Sequence, residues 1–321
     1  MASDKALTHE LIKEVRRGDL PDINSIRDLL QRGADINGRT DDWNRWTPLM
    51  ILARKEDDKS TQIIVELLKH ENLDLNARDE YGKTALIWAS EYSELRVVDI
   101  LLKDGRVIVN AKDNEGKTAL IWAVHCSVGC SCRKAVDILL KDDRVDVNAK
   151  DNEGKTALIW ASKYSELRIV DILLKDDRVN VNANDDAGKT ALISASYQGR
   201  QEVVRILLKD DRVDVHAKDN HGKTALIEAS YHGHAEVVRI LLEDGRMDVN
   251  AKDDDAGATA LIVASRHRTV KRKRVLRMLL KDDRVEVNAK DYAGRSAFFW
   301  ANYRGSRHAI RLFLKHTGGW L

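Results

Sequence analysis

The sequence predicts an all-α solenoid, a stack of about nine helix-turn-helix units with short β-hairpin fingers between them. The first observation is a repeated string: Gly-Lys-Thr-Ala-Leu or a looser copy begins at Gly82, Gly116, Gly154, Gly188, Gly222, Gly257 and Gly294. Successive copies are separated by 34, 38, 34, 34, 35 and 37 residues, and a period of this length is typical of stacked repeats. The second observation is that a leucine-rich segment follows each copy, and the third is that only two of the 321 residues are proline.

Each unit is expected to contain a finger and two short helices. The finger begins with the turn 79–82, because its glycine supplies the left-handed conformation that tight turns need. Thr84 is the expected N-cap of a first helix over residues 85–91. The apolar residues of 97–102 are spaced to bury one face of a second helix. A single helix pair cannot bury that face, whereas stacked copies share a continuous core.

The composition excludes several classes of protein. A hydrophobic fraction of 43% supports a packed core and argues against general disorder. Lys and Arg number 54 and Asp and Glu 52, so no basic field covers the whole protein to attract nucleic acid. No apolar run approaches the roughly 18 residues of a membrane-spanning helix. Three cysteines do not make a disulfide scaffold, so we expect a cytoplasmic protein, with the nucleus as the alternative location.

The repeat boundaries predict three regions. Residues 1–40 form an N-terminal capping repeat, and residues 41–290 form seven repeats with insertions near residues 125–132 and 266–274. Residues 291–321 form a C-terminal capping repeat. Length alone would suggest two domains, but the internal repetition favours one array, which we expect to be a monomer.

This pattern resembles the ankyrin repeat over almost the whole chain. The resemblance rests on Thr47-Pro48-Leu49, the Thr-Ala-Leu series, the paired leucines of the second helices and the Val-Asn-Ala linkers. The family signature Thr-Pro-Leu-His-x-Ala is kept in part, since Met50 and Ile87 stand where the family has histidine. The resemblance implies a module that binds proteins, without a cofactor, on a concave face made by the finger tips and the solvent side of the first helices.

All seven tyrosines fall at positions that the resemblance assigns to this concave face. They are Tyr81 and Tyr292 on fingers, and Tyr92, Tyr164, Tyr197, Tyr231 and Tyr303 at the ends of first helices. Tyrosine supplies a large, rigid contact area with a polar end, so we predict that these residues, with His232, contact a partner. The alternative is that they pack against neighbouring helices for stability alone.

Three tryptophans, Trp88, Trp122 and Trp160, occupy the same position in consecutive units, and Ser194 and Glu228 occupy it in later ones. Because a position that accepts serine and glutamate should not be deep core, we expect the tryptophans to be partly exposed. They would then form an aromatic wall for a partner. The alternative is a half-buried tryptophan that stacks between repeats.

Charged residues also repeat. A lysine follows the finger glycine at Lys83, Lys117, Lys155, Lys189 and Lys223. We interpret these lysines as a solvated finger edge, with complementarity to an acidic partner as the alternative. An arginine follows acidic residues in the inter-repeat loops at Arg106, Arg144, Arg178, Arg212, Arg246 and Arg284, where local ion pairing is the simplest interpretation.

The first insertion contains every cysteine of the chain. His125, Cys126, Cys130 and Cys132 could supply four zinc ligands, but their spacing is not that of a standard zinc knuckle. A disulfide, simple loop cysteines and a redox-sensitive surface thiol remain open.

The second insertion contains a dense basic cluster. Its members are Arg266, Arg268, Lys271, Arg272, Lys273 and Arg274. Such a cluster is typical of a nuclear import signal, a phosphate or nucleic-acid contact, or a patch for an acidic protein, and it is also compatible with a solvated loop. No aromatic residues alternate with the basic ones to indicate sequence-specific nucleic-acid recognition.

The chain contains no phosphate-binding loop or dinucleotide fingerprint, and its carboxylates repeat with the period of the framework. The sequence therefore predicts a non-enzymatic scaffold or adaptor that binds one or more proteins through the concave face. One alternative is an ankyrin domain that senses a small molecule or an oligonucleotide. The other is a nuclear or nucleic-acid-associated factor that uses the basic insertion, although the balanced charge argues against a nucleic-acid partner.

Overall fold

The computed structural model describes residues 2–17, 22–55, 57–125, 130–266 and 269–316. Eighteen α-helices over these residues form nine consecutive pairs. By its internal contacts the chain divides into two compact units, residues 1–157 and residues 158–321. Across the described ranges, no helix combines the length and the apolar character needed to cross a membrane.

The first unit contains α1 (Ala2–Arg16), α2 (Ile23–Gln31), α3 (Pro48–Leu52), α4 (Asp58–Leu67), α5 (Ala85–Glu91), α6 (Leu95–Lys103), α7 (Ala119–Val124) and α8 (Cys130–Leu140). The second unit contains α9 (Ala157–Tyr164, which begins on the last residue of the first unit), α10 (Leu167–Leu174), α11 (Ala191–Gln198), α12 (Gln201–Leu207), α13 (Ala225–His232), α14 (Ala235–Asp244), α15 (Ala260–Ser265), α16 (Val270–Leu279), α17 (Ala297–Tyr303) and α18 (Arg307–His316). Odd-numbered helices are the first helices of each pair, and even-numbered helices are the second helices. Within each unit, first helices pack against first helices and second helices against second helices.

The first helices begin where the sequence predicts. Thr84 caps α5, since its Oγ1 accepts a hydrogen bond from Ile87 N at 3.3 Å. A threonine in the same position caps α7, α11, α13 and α15. These caps satisfy backbone N–H groups that a helix start otherwise leaves without a partner.

The fingers are hydrogen-bonded turns rather than the β-hairpins that we expected. In the finger 79–83, Asp79 N donates to Lys83 O at 3.1 Å. The carboxylate of Asp79 accepts from the N–H groups of Tyr81 and Lys83, so it occupies the donors that a strand ladder would use. In the part of the chain that the structure describes, a single isolated bridge joins Lys290 and Ser296.

The glycine of this turn is needed for its conformation. Gly82 has φ of 75°, and a Cβ at this position would lie 2.4 Å from Asn114 Oδ1 of the following finger. A side chain here would therefore be strained by the backbone and would clash with the next repeat.

Asparagines of the linkers connect successive repeats. Asn182 Nδ2 donates to Arg212 O, and its Oδ1 accepts from Asp214 N, both at 2.8 Å. The same pair of bonds is made by Asn37, Asn76, Asn110 and Asn250. His216 occupies this position in the next linker and is exposed. It lies beside a small cavity of about 110 Å³ that Met247 and Ala251 also line.

The loop arginines do more than pair locally. Arg106 Nη2 lies 2.7 Å from Asp104 Oδ2, which confirms the expected ion pair. The same guanidinium also donates to Leu68 O at 2.9 Å, at the carboxyl end of the preceding second helix. Equivalent bonds run from Arg144, Arg212, Arg246 and Arg284. Each of these arginines therefore caps the second helix of the preceding repeat at its carboxyl end, where a cation also interacts favourably with the helix dipole.

Replacing His216 with the asparagine that other linkers have at this position should stabilise the second unit. In His216→Asn, the amide can donate to Arg246 O and accept from Asp248 N, as Asn182 does one repeat earlier. We expect a gain of about 1 kcal/mol in the free energy of unfolding, measured by urea titration. Asn182→His is the matched reverse change and should destabilise the protein. Equal stability of His216→Asn and the wild type would contradict this assignment.

Candidate functional site

The finger carboxylate also holds the tryptophan of the first helix. Trp88 Nε1 donates to Asp79 Oδ2 at 2.8 Å, and Trp122 Nε1 donates to Asp113 Oδ2 at 2.7 Å. In the last repeat, Trp300 makes the same bond at 3.0 Å. The indole is thus anchored beneath its own finger, because the buried N–H requires an acceptor.

The expectation of exposed tryptophans is wrong for two of the three. Trp88 is 6% exposed and Trp160 is 5% exposed, while Trp122 is half-buried. Ser194 and Glu228 are buried at the same position, so the variation in residue type does not report exposure there. The position lies beside the finger carboxylate and the finger lysine, and these charged groups make a buried polar side chain acceptable.

Cations lie between the aromatic rings of the first unit. The Arg54 guanidinium lies 4.1 Å from the Trp46 ring centroid and 4.6 Å from that of Trp88. Lys83 Nζ lies 4.3 Å from the Trp88 ring and 3.6 Å from the Trp122 ring. Cations over indole faces are attracted most strongly when they are desolvated. These five residues form a continuous aromatic and cationic stack, which we call the aromatic stack.

The interpretation of the finger lysines as a solvated edge is therefore also wrong for Lys83 and Lys117, which are buried. Lys83 forms an ion pair with Glu91, and Lys117 pairs with Glu115 at 2.6 Å. Each ammonium group lies over a tryptophan ring and also pairs with a carboxylate. Lys83 thereby connects two successive repeats through Trp88 and Trp122, whereas the Lys117 contacts with Glu115 and Trp122 lie within one repeat.

The tyrosines are placed differently from the tryptophans. Exposed fractions are 40% for Tyr81, 41% for Tyr92, 44% for Tyr164 and 39% for Tyr231. Tyr292 and Tyr303 are exposed even further, at 68% and 70%. Tyr197 and His232 are half-buried and pack edge-to-face at 4.3 Å.

Several of the exposed tyrosines are held in place by neighbours. Arg54 Nη2 donates to Tyr92 Oη at 2.8 Å. Tyr164 stacks on Trp160 with an interplanar angle of 3° and 5.5 Å between centroids. A ring fixed in this way loses little entropy when it binds, which favours its use in an interface.

The sequence interpretation did not assign three further exposed aromatic residues to the partner surface. Trp43 is 68% exposed on the first finger and packs edge-to-face with Tyr81 at 5.4 Å. Phe298 and Phe299 are exposed on α17, where Phe299 stacks on Tyr303. Their finger and first-helix positions were the available sequence signal, since the exposed tyrosines occupy the same two kinds of position.

The cysteine insertion is described only in part. Cys126 lies outside the described residues, and nothing is described of the Cys130 side chain. His125 packs edge-to-face with Trp122 at 5.8 Å, and burial lowers its pKa. Cys132 is buried and disulfide-bonded, so its thiol is not free to bind a metal. No group of three metal-ligating side chains occurs among the residues that the structure describes.

The residues of the predicted basic cluster do not share one surface. Arg266 packs on Trp300 and lies 3.5 Å from Asp291, whereas Arg272 lies over the Tyr231 ring. Arg274 pairs with Glu236 on α14. Lys271 is exposed and Lys273 is half-buried, and Arg268 lies outside the described residues.

Glu228 is an unusual buried carboxyl group at the tryptophan position. It is 3% exposed, and its oxygens lie 3.4 Å from Lys189 Nζ and 3.5 Å from His232 Nε2. Burial raises its pKa, Lys189 and Lys223 oppose that rise, and Asp219 adds to it. Asp219 Oδ2 is buried without a hydrogen-bond partner in the described part of the chain. The indole donor that other repeats supply here is absent.

The pH dependence of stability should report on Glu228. Because its pKa is raised in the folded state, the folded protein is most stable when Glu228 is protonated. This contribution is lost as the pH rises above the ordinary carboxyl value of about 4.3 and through the raised folded pKa. Glu228→Gln keeps the shape without the charge. At neutral pH it should raise the melting temperature by about 2–4 °C, and this gain should shrink as the pH falls toward the carboxyl range.

Glu236→Gln is the matched control, because Glu236 is a partly exposed carboxylate on α14. The gain for Glu228→Gln should be absent in this control. A gain of equal size at acidic and neutral pH would show that Glu228 does not titrate in this range.

The comparisons with known proteins agree with this architecture. A family profile described as ankyrin repeats (3 copies) matches residues 15–113, 130–219 and 212–291. The crystal structure of the ankyrin repeat protein EF0377 is 29% identical, with a TM-score of 0.54 over 57% of this chain and 92% of that one. The ankyrin repeat domain of Bcl-3, a member of the IkappaB protein family, is 25% identical, with a TM-score of 0.62 over 74% of this chain and 99% of that one. No curated protein matched the sequence. The chain belongs to the ankyrin-repeat family, and the expected all-α ankyrin fold is confirmed.

Proposed function

We propose that this protein is a non-enzymatic scaffold or adaptor that binds a partner protein through its fingers and first helices. The observation that carries the proposal is the placement of exposed apolar surface. Among the described residues, nine of the eleven exposed large apolar side chains are aromatic. All nine lie on fingers or on first helices, and none lies on a second helix.

This distribution supports a binding role because aromatic side chains are enriched at protein interfaces and dominate their energetics. The framework does not require the exposed rings, since the core is filled mainly by leucine, isoleucine, valine and alanine. The cytoplasmic or nuclear location and the monomeric state expected from the sequence remain part of the proposal. Ankyrin repeats generally mediate protein–protein interaction, which agrees with this function.

The aromatic stack and the exposed tyrosines have different parts in the proposed site. Trp88 and Lys83 are buried and position the first helix relative to its finger. Tyr81 and Tyr92 remain available to solvent above them. We therefore assign partner contact to the tyrosines and a supporting role to the tryptophans.

A triple variant, Tyr81→Ala, Tyr164→Ala and Tyr231→Ala, tests this assignment. Tagged wild-type and variant proteins are used to capture partners from cell extract, and each captured protein is then titrated with purified material. We expect the triple variant to lose at least about tenfold in affinity, because aromatic contacts at interface centres contribute about 2 kcal/mol or more. Its melting temperature should remain close to that of the wild type.

The matched control replaces Val65 and Ile108 with alanine. These are the two exposed large apolar residues outside the fingers and first helices of the described chain. The control should bind as the wild type does. Capture of the same proteins with equal affinity by all three forms would overturn the proposed surface.

A further inference from the structure

The last two second helices differ from all the others in charge. Each of the seven preceding second helices contains at least one Asp or Glu, whereas α16 and α18 contain none. Instead α16 carries five Lys or Arg residues and α18 carries three. These two helices pack against each other in the second unit. A soluble terminal repeat can carry charged side chains of both signs, so solubility does not explain why these two helices carry positive charges alone.

Arg277 and His308 are in contact where the two helices meet, and Lys273 and Arg311 lie on the same two helices. Arg277 Nη2 lies 3.2 Å from His308 Nε2. The pKa of His308 is lowered, first by burial and then by the positive charges of Arg277, Lys273 and Arg311. None of these three cations forms an ion pair with a carboxylate among the described residues, in contrast to Arg274 and the loop arginines. We call Lys273, Arg277, His308 and Arg311 the basic junction.

The chemistry of this surface favours phosphate over protein. Among the side chains that the structure describes on α16 and α18, none is both large and apolar and exposed, whereas Phe298, Phe299 and Tyr303 lie on α17. A protein interface needs an apolar or aromatic centre, and a membrane-bound helix needs an apolar face to insert. Guanidinium and ammonium groups that pair with no carboxylate suffice to bind phosphate oxygens.

We propose that the basic junction binds the phosphate backbone of a nucleic acid. Along each helix, cations one turn apart are separated by about 5–6 Å, and the two helix axes lie about 8–10 Å apart. The cations on the two helices can therefore contact successive phosphates of a backbone without contacting the bases. This inference departs from the expectation drawn from net charge, because the cations are concentrated on two helices instead of being spread over the chain. It is independent of the tyrosine surface.

The test compares two triple variants of the full chain that change charge equally. The first is Lys273→Gln, Arg277→Gln and Arg311→Gln. The control is Lys59→Gln, Arg96→Gln and Arg168→Gln, which removes one exposed lysine and two exposed arginines from other second helices. Binding of fluorescent duplex DNA and duplex RNA is followed by anisotropy over a range of salt concentrations.

For the wild type we expect binding that weakens steeply with salt and does not depend on base sequence. The junction variant should lose at least about tenfold in affinity, and its log–log salt slope should shrink by about 2–3, one for each lost phosphate contact. The control should change affinity by less than about twofold. By NMR, the pKa of His308 should rise when the duplex binds, because the phosphate neutralises the surrounding charge.

Three outcomes would overturn the proposal. One is the absence of duplex binding by the wild type at low salt. Another is an equal loss in the junction variant and the control, which would indicate diffuse attraction to net charge. The third is junction-dependent binding of anionic lipid vesicles or of polyglutamate, with no junction-dependent binding of either duplex.

Discussion

The finger carboxylate is the interaction on which both the turns and the aromatic site depend. In Asp113, one oxygen accepts from the N–H groups of Glu115 and Lys117, and the other accepts from Trp122 Nε1. One side chain therefore closes the finger and fixes the first helix beneath it. Because the three donors are buried or partly buried, each requires an acceptor that water cannot readily supply. This arrangement therefore sets the positions of the exposed tyrosines, which lie on the fingers and at the ends of the first helices.

The repeat pattern was sufficient to predict the helix pairs, because the threonine caps and the apolar spacing are local properties of the sequence. The same local information did not predict the form of the fingers. There the side chain of Asp79 competes with a strand ladder for the same N–H groups, and a side-chain hydrogen bond of that kind is invisible to a hydrophobic pattern. The hydrogen bond from Arg106 to the preceding repeat depends on how the repeats stack, and this geometry cannot be derived from the local sequence.

Six of the seven tyrosines are exposed, as their sequence positions predicted, whereas Trp88 and Trp160 are buried against the prediction. The buried position accepts Trp88, Ser194 and Glu228 because a charged finger lies over it, and residue variation there was mistaken for exposure. In the repeat with Glu228, the carboxylate of Asp219 keeps its backbone bonds while its Oδ2 has no partner among the described residues. This repeat shows what the indole contributes in the others.

Amide hydrogen exchange in Asp113→Asn tests the central role of the finger carboxylate most directly. The asparagine can still accept from the backbone, but its amide group then faces the Trp122 N–H without an acceptor. Exchange at Glu115 and Lys117 should accelerate at least about tenfold, since the variant loses the indole bond to a charged carboxylate, and a bond of this kind contributes about 1.5–3 kcal/mol. The control is Asp185→Asn, in a repeat with Ser194 at the tryptophan position. This change removes the same charge from the same backbone bonds but breaks no indole bond, so exchange at Ala187 and Lys189 should accelerate clearly less than at Glu115 and Lys117. Equal acceleration in both variants would contradict the account, because the indole would then contribute nothing to the finger.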